Sequence, residues 1–228
     1  MIAAVLFDMD DTLYAEEQYV RSGFRAVGDE LARRGHGRAS EAADLFAALH
    51  FGESRDRVFN KAAERLGFPE DWVPALVRTY REHTPTGLSL HDDAVRVLRA
   101  LRPQVKVGVV TDGWTVVQQH KVDALGLADH VDHVFLTDQL GRARWKPHPE
   151  AFHRCLAALG VADPATAIFV GDNPERDVEG AHNAGLHPVW IRREGAYFED
   201  ATFARPPVAT IRTLAELPPI VERLSEAA

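Results

Sequence analysis

The chain has little cysteine, little lysine and no excess of positive charge. Cys155 is the only cysteine among 228 residues, so no disulfide can form within the chain and nothing indicates an oxidising compartment. The formal net charge is -8 at pH 7, so the protein has no general positive field that would attract a polyanion. We therefore expect neither nucleic acid nor a membrane as a partner. A small anionic ligand needs only local donors and is compatible with this charge.

Long apolar runs are missing as well. The N-terminus reads Met1 to Phe7 and then meets Asp8, without a basic leader and with an apolar run too short for a signal peptide or a membrane span. The composition, 46% apolar and 26% charged, is typical of a soluble globular protein. We expect a cytoplasmic protein, and the sequence leaves its oligomeric state open.

Short apolar runs alternate with helical patterns along most of the chain. A run buried on both faces of a parallel sheet is continuously apolar, and such runs occur at residues 2–7, 105–110, 133–136, 167–170 and 188–191. Residues 150–159 show the clearest helical period between two of them. The pattern predicts an α/β fold whose core is a Rossmann-like, doubly wound parallel sheet.

One stretch, residues 14 to about 85, breaks this alternation. It contains several amphipathic segments and no convincing strand, which is typical of a helical bundle. We therefore assign residues 1–14 and 86–228 to the Rossmann-like core and residues 15–85 to an inserted, all-helical cap. Because the insert follows the first strand, we expect it to stand over the carboxyl ends of the strands, where open parallel sheets bind ligands.

Two carboxylates follow the first predicted strand. Asp8 and Asp10 are two residues apart, so in extended backbone their side chains project the same way. Such a pair suits a division of labour in which one carboxylate attacks or binds metal and the other moves protons. A simple polar loop is the alternative.

The second long strand ends in Thr111, Asp112 and Gly113. A hydroxyl and turn backbone just before a helix, which we expect to begin near Trp114, form a nest for an anion such as phosphate. The same three residues also occur in ordinary turns and helix caps.

Lys146 is one of only four lysines among the 26 lysine and arginine residues of the chain. Pro147 follows it and biases its backbone towards an extended conformation, from which the side chain can reach the sheet edge as a point charge for a phosphate oxygen. A solvated surface lysine is the alternative.

Asp172 follows the strand at residues 167–170 and precedes a turn and a helix with Pro174 at a natural first position. Near Asp8 it would supply the hard oxygen ligands that Mg²⁺ prefers. As alternatives, Asp172 or Asn173 caps the helix and Asp177 is a favourable charge near its start.

These segments together resemble the haloacid dehalogenase superfamily. The four motifs of that superfamily match in order as Asp8-x-Asp10-x-Thr12, Thr111-Asp112-Gly113, Lys146-Pro147 and Gly171-Asp172-x4-Asp177. The resemblance covers the whole core, and the helical insert resembles the cap that the superfamily places after its first motif.

The resemblance implies a chemistry for the two carboxylates of the first motif. Asp8 would attack phosphorus to form an aspartyl-phosphate, and Asp10 would protonate the leaving oxygen and then activate water. Dehalogenases of the superfamily resemble this chain at Asp8 but lack the aspartate at the position of Asp10. The resemblance therefore favours a phosphatase over a dehalogenase.

The resemblance also implies a magnesium site and a phosphate site. The metal ligands would be the carboxylates of Asp8 and Asp172 and the backbone carbonyl of Asp10, with Asp177 as a ligand or directly behind the ligands. Thr111 and Lys146 would hold the phosphate. The substrate would be a small phosphate ester, and nucleotides and sugar phosphates both fit. A phosphomutase and a non-catalytic phosphate-binding or partner-binding protein stay open as alternatives.

Overall fold

The structure is a computed structural model that describes residues 1–194, 197–198 and 201–226. The chain forms two compact units. The sheet unit comprises Met1–Ala15 and Ser89–Ala228, and the helical unit comprises Glu16–Leu88. Across the described ranges, none of the helices combines the length and the apolar character needed to cross a membrane.

The regular elements are strands of three to six residues and helices of five to eighteen residues. The strands are β1 (Ala4–Phe7), β2 (Lys106–Thr111), β3 (His133–Leu136), β4 (Ala167–Gly171), β5 (His187–Ile191) and β6 (Ala209–Ile211). The α-helices are α1 (Glu16–Arg33), α2 (Ala39–Gly52), α3 (Val58–Leu66), α4 (Val73–Glu82), α5 (Asp92–Leu101), α6 (Thr115–Ala124), α7 (Glu150–Ala158), α8 (Gly180–Ala184) and α9 (Leu217–Glu226).

The sheet is six-stranded with the order β3-β2-β1-β4-β5-β6, and every neighbouring pair is parallel. The chain builds outward from β1 on one side and then returns to build outward from β4 on the other. Phe7 at the end of β1 is in register with Val109 and Val170 on its two neighbours. The strand order therefore reverses between β1 and β4, and open α/β sheets bind ligands at the carboxyl edge of such a switch point.

The predicted fold class is confirmed, with local differences. Each of the five predicted strands is present with its ends shifted by at most two residues, whereas β6 was not predicted. It has only three residues, of which Ile211 alone is buried, so it is too short to show a periodic pattern. The helix predicted from Pro174 begins instead as a π-helical segment, Pro174–Glu179, and continues as α8.

Helix α7 shows why the core of the sheet unit is closely packed. Its apolar stripe, Ala151, Phe152, Cys155 and Leu156, is buried, and the rings of Phe152 and Phe169 on β4 lie 4.8 Å apart. Burial raises the pKa of the Cys155 thiol to about 12. Cys155 is therefore an unreactive core residue.

The helical unit has an apolar core of its own. Helices α1 to α4 surround a cluster that includes Phe24, Leu31, Phe46 and Leu76, each at most 2% exposed. The first helix ends where Gly35 adopts a positive φ of 76°, a conformation that glycine adopts without strain. The role of this unit as a cap stays a prediction.

Candidate active site

The loop after β1 is held by a hydrogen bond to the sheet at Asp8 and by a turn that follows Asp8. The backbone N–H of Asp8 donates to the carbonyl oxygen of Val170 at 2.8 Å, and the N–H of Leu13 donates to the carbonyl of Met9 at 3.0 Å. Asp10 forms an isolated bridge with Tyr14. The first bond continues the β1–β4 ladder and the second closes a turn, so both carboxylates are fixed at the carboxyl edge of the sheet.

Three buried aspartates gather at this edge. Asp8, Asp172 and Asp177 each place a carboxylate oxygen within 4.8 Å of the others, and their exposed fractions are 6%, 8% and 1%. Lys146 lies among them, with Nζ 2.5 Å from Oδ1 of Asp8 and 2.7 Å from Oδ1 of Asp177. We call these four residues the acidic cluster. It contains three carboxyl groups and one ammonium group.

The pKa shifts in the acidic cluster follow from this imbalance. Burial raises the pKa of Asp8 well above its usual value in spite of Lys146. Burial, reinforced by the carboxylates of Asp177 and Asp8, raises the pKa of Asp172 to about 9. Burial alone would lower the pKa of Lys146, but Asp177 and Asp8 outweigh it and raise that pKa. The cluster therefore has more negative charge than its one lysine can neutralise.

The donor set of the acidic cluster fits a divalent cation. Carboxylate oxygens are the ligands that hard cations such as Mg²⁺ and Ca²⁺ take in proteins. A bound divalent cation would supply the positive charge that the buried carboxylates lack. Asp8 and Asp172 are the residues that we predict to hold it, and Asp177 is close enough to join them.

Two residues that precede the helix, Gly171 and Asn173, allow the side chain of Asp177 to lie in the acidic cluster. Its Oδ2 accepts a hydrogen bond of 2.9 Å from the backbone N–H of Asn173, whose own side chain caps the turn by accepting from the N–H groups of Glu175 and Arg176. A Cβ on Gly171 would overlap the carboxyl group of Asp177. Asn173 therefore caps this turn, as one of the alternatives predicted, and the metal site at Asp172 and Asp177 stays a prediction.

Thr111, Asp112 and Gly113 lie at the end of β2, and the side chain of Asp112 contacts the segment that carries Lys146. Oδ1 of Asp112 accepts from Oγ1 of Thr137 at 2.7 Å and from the N–H of Lys146 at 3.2 Å. Asp112 therefore ties the Lys146 segment to β2, and we expect it to offer a phosphate only its backbone N–H, because its carboxylate repels an anion. The Lys146–Pro147 peptide bond in this segment is cis.

Asp10 has partners that the sequence interpretation missed. Nζ of Lys121 lies 2.8 and 2.9 Å from its two carboxylate oxygens, the Gln118 amide donates to it at 3.0 Å, and the Tyr14 hydroxyl donates at 2.5 Å. Burial would raise the pKa of Asp10, but Lys121 and the other donors lower it. The rarity of lysine in the chain is the sequence signal that marks Lys121 as well as Lys146.

Six of the predicted site residues thus fall into two groups. The acidic cluster unites Asp8, Lys146, Asp172 and Asp177. The second group joins Asp10 to Thr111, because Nε2 of Gln118 donates to both, at 2.6 Å for the Thr111 hydroxyl. All of these residues belong to the sheet unit.

Comparison with known proteins agrees with these motifs. The model of the haloacid dehalogenase-like hydrolase family matches residues 2–185. The glyceraldehyde 3-phosphate phosphatase of Methanopyrus kandleri is 32% identical over 85% of either chain. The phosphoserine phosphatase of Thermus thermophilus is 35% identical over 62% of this chain and 56% of its own.

Solved structures give the same result. A haloacid dehalogenase-type phosphatase from Thermococcus onnurineus superposes with a TM-score of 0.64 at 30% identity, over 96% of this chain and 98% of its own. A 2-haloacid dehalogenase from Pseudomonas syringae superposes with a TM-score of 0.68 at 28% identity, over 98% and 99%. The fold is therefore shared by enzymes with different reactions.

The family match spans most of the chain, and relatives about a third identical over most of their length are phosphatases. The chain belongs to the haloacid dehalogenase-like hydrolase family and is one of its phosphatases.

Proposed function

We propose that this protein is a magnesium-dependent phosphomonoester hydrolase that acts on a small phosphorylated metabolite through an aspartyl-phosphate on Asp8. The observation that carries the proposal is the acidic cluster, in which Asp8 shares a buried site with two further carboxylates and only one lysine. A buried carboxylate of this kind suits nucleophilic attack once a cation and a phosphate complete the site. When bound, Mg²⁺ would offset the negative charge shared by the carboxylates and the phosphoryl oxygens.

In the first step, an oxygen of Asp8 forms a bond to phosphorus as the bond from phosphorus to the ester oxygen breaks. The ester oxygen takes a proton from the carboxyl group of Asp10 and leaves as an alcohol. Lys146 holds the attacking carboxylate in place, since Nζ bonds Oδ1 of Asp8 at 2.5 Å. The hydroxyl of Thr111 accepts from Gln118, so its own hydrogen is available to a phosphoryl oxygen.

In the second step, Asp10, now a carboxylate, takes a proton from water as the water oxygen bonds to phosphorus. The bond between phosphorus and Asp8 breaks, which releases inorganic phosphate and restores both aspartates. The lowered pKa of Asp10 suits this base. In the first step, the negative charge of a bound phosphate ester raises a neighbouring carboxyl pKa and favours the protonated form that acts as acid.

Two features support a phosphatase acting on small metabolites. Asp10 stands at the position where the dehalogenases of the superfamily lack an aspartate, and here it is fixed by three donor side chains. The similar proteins from Methanopyrus kandleri and Thermus thermophilus are named for glyceraldehyde 3-phosphate and phosphoserine. Sugar phosphates, nucleotides and phosphorylated amino acids therefore form the first substrate panel.

The test is release of inorganic phosphate by the purified protein from p-nitrophenyl phosphate and then from that panel. We expect activity with Mg²⁺, none after chelation with EDTA, and recovery when Mg²⁺ is restored. Asp8→Asn should lose at least about 10⁴-fold in kcat, because the nucleophile is gone. Wild-type turnover by Asp8→Asn would sink the mechanism.

The alternatives give different results in the same experiment. A non-catalytic binder would take up phosphate and release none from any ester. With a ³²P-labelled phosphate ester, a phosphomutase would keep the labelled phosphoryl group on Asp8 as an acid-stable adduct. It would then pass that group to a second hydroxyl of the substrate. The hydrolase loses the label to water as inorganic phosphate.

A further inference from the structure

Helix α6 presents two polar side chains to the loop that carries Asp10. Gln118 and Lys121 are three residues apart and so lie on one face of the helix. They are 1% and 3% exposed, which is unusual because lysine is rarely buried without a specific partner. Lys106, by contrast, is exposed at the start of β2.

The bonds of Lys121 and Gln118 divide between the two oxygens of Asp10. Lys121 donates to both oxygens, Tyr14 donates to Oδ1, and Gln118 donates to Oδ2. A carboxylate has about four acceptor positions, so this set occupies all of them. Lys121 thus contacts both oxygens of Asp10.

Glycine at position 113 makes room for this arrangement. A Cβ on Gly113 would lie 2.9 to 3.0 Å from the side-chain amide of Gln118, and its φ of +138° is one that other residues rarely adopt. Gln118 can therefore lie across the end of β2 and donate to Thr111 and Asp10 together. Direct side-chain contacts therefore join the loop that carries Asp10 to helix α6.

We propose that Lys121 and Gln118 are positioning residues that hold the carboxyl group of Asp10 for proton transfer to the leaving group. The inference rests on the proposed function and adds residues that its motifs do not contain. When the ester oxygen approaches, it replaces the Tyr14 or the Gln118 bond at one oxygen of Asp10, and Lys121 keeps hold of the other oxygen. The proton then passes from Asp10 to the ester oxygen as the bond from phosphorus to that oxygen breaks.

The test compares two esters that differ in how much their leaving groups need a proton. p-Nitrophenolate leaves readily without one, whereas the more basic phenolate of phenyl phosphate depends on it. General acid catalysis contributes about 10²- to 10⁴-fold. We expect Lys121→Met to lower kcat/KM for phenyl phosphate at least about tenfold more than for p-nitrophenyl phosphate, since only the first loses the full acid contribution.

Matched controls isolate this effect. Lys106→Met removes an exposed lysine of the same unit and should leave both esters unchanged. Gln118→Met should give the same preferential loss on phenyl phosphate, smaller in size, and it carries the test if Lys121→Met does not fold. An equal loss on both esters for whichever variant folds would overturn the proposal, because a merely structural residue lowers both rates together.

The same experiment distinguishes failure of the proposed function from failure of the positioning role. If the wild-type protein hydrolyses neither ester with Mg²⁺, the phosphatase mechanism fails and the comparison is not reached. If the wild type is active and Asp8→Asn is inactive, the ratio of the two esters in the Lys121 and Gln118 variants decides the positioning role alone.

Discussion

Two buried lysines of the sheet unit form ion pairs with Asp8 and Asp10, and the charges around the two lysines differ. Lys146 lies among Asp8, Asp172 and Asp177, where one ammonium faces three carboxyl groups. Lys121 faces Asp10, which has neutral donors as its other partners. The group around Lys146 is unbalanced, because it has three carboxyl groups and one ammonium group. The group around Lys121 is balanced, because it has one of each.

The pKa values of the two aspartates follow this difference. Asp8 has a raised pKa, chiefly because it is buried, whereas Lys121 and the neutral donors outweigh burial and lower the pKa of Asp10. The pKa values of two carboxylates only two residues apart are thus shifted in opposite directions, that of Asp8 by burial and that of Asp10 by its donors.

The largest expected effect comes from removing the lysine of the unbalanced group. Lys146→Met leaves the three carboxyl groups of the acidic cluster without a positive partner, and breaking a buried ion pair in this way typically costs about 3–5 kcal/mol. We expect a loss of that size in the free energy of unfolding of the metal-free protein, measured by urea denaturation. Mg²⁺ should recover part of it.

Lys106→Met is the control for this loss and should unfold as the wild type does. If metal-free Lys146→Met is as stable as wild type, the carboxyl groups are not held by this lysine, and the contrast between the two groups disappears. Activity is measured in parallel, and we expect it to fall by about 10²-fold or more because a charge at the reacting phosphoryl group is lost.

The second effect is the pH dependence of stabilisation by Mg²⁺. In the metal-free folded protein the pKa of Asp172 is about 9, well above its value of about 3.9 in an unfolded chain. The folded state therefore binds more protons, and the stability that this group contributes falls as pH rises from about 4 to about 9. A cation that displaces the proton binds more tightly as pH rises through the same range.

We thus expect the stabilisation by a fixed, subsaturating concentration of Mg²⁺, measured as the rise in Tm, to increase from pH 6.5 to pH 8.5. The increase is at most about 1.4 kcal/mol per pH unit for one displaced proton. Asp172→Asn should reduce the pH slope without abolishing it, because Asp8 also has a raised pKa. Asp10→Asn should keep the slope because the Asp10 carboxylate lies outside the acidic cluster. An unchanged slope in Asp172→Asn would assign it to another group.

The smallest effect comes from the balanced group. Tyr14→Phe removes one hydrogen bond of 2.5 Å from Asp10 and leaves those of Lys121 and Gln118. A single hydrogen bond of this kind contributes about 0.5–3 kcal/mol, the upper part applying to charged partners. We expect kcat for phenyl phosphate to fall by about tenfold or less, and by less than in Lys121→Met. A larger loss than in Lys121→Met would make Tyr14 the main support of Asp10.

Much of the fold was predictable because it depends on local patterns. Continuous apolar runs predicted the strands of a parallel sheet, and the polar residues after them predicted which side chains lie at its carboxyl edge. The strand order itself, with β1 and β4 as neighbours, was not predictable from one sequence, since it depends on packing between distant segments. The short edge strand β6 was missed for a different reason, because three residues do not define a period.

The residues of the candidate site divide in the same way. Asp8, Asp10 and Asp172 directly follow strands, so their location could be predicted from position alone. The contacts of Lys121 and Gln118 could not, because both lie in the middle of α6 and their target is more than a hundred residues away in the chain. The weakly amphipathic pattern of α6 does not distinguish a buried donor from a solvated one, and the rarity of lysine marks Lys121 without indicating its partner.

Gly171 ends β4 and touches no substrate in the proposed mechanism, yet its missing side chain is the space that the carboxyl group of Asp177 occupies. An alanine at position 171 and an aspartate at position 177 compete for one volume. Substitutions at these two positions are therefore not independent. A larger residue at position 171 becomes tolerable only with a smaller one at position 177, and the pair would change together among relatives that have dispensed with this acidic group.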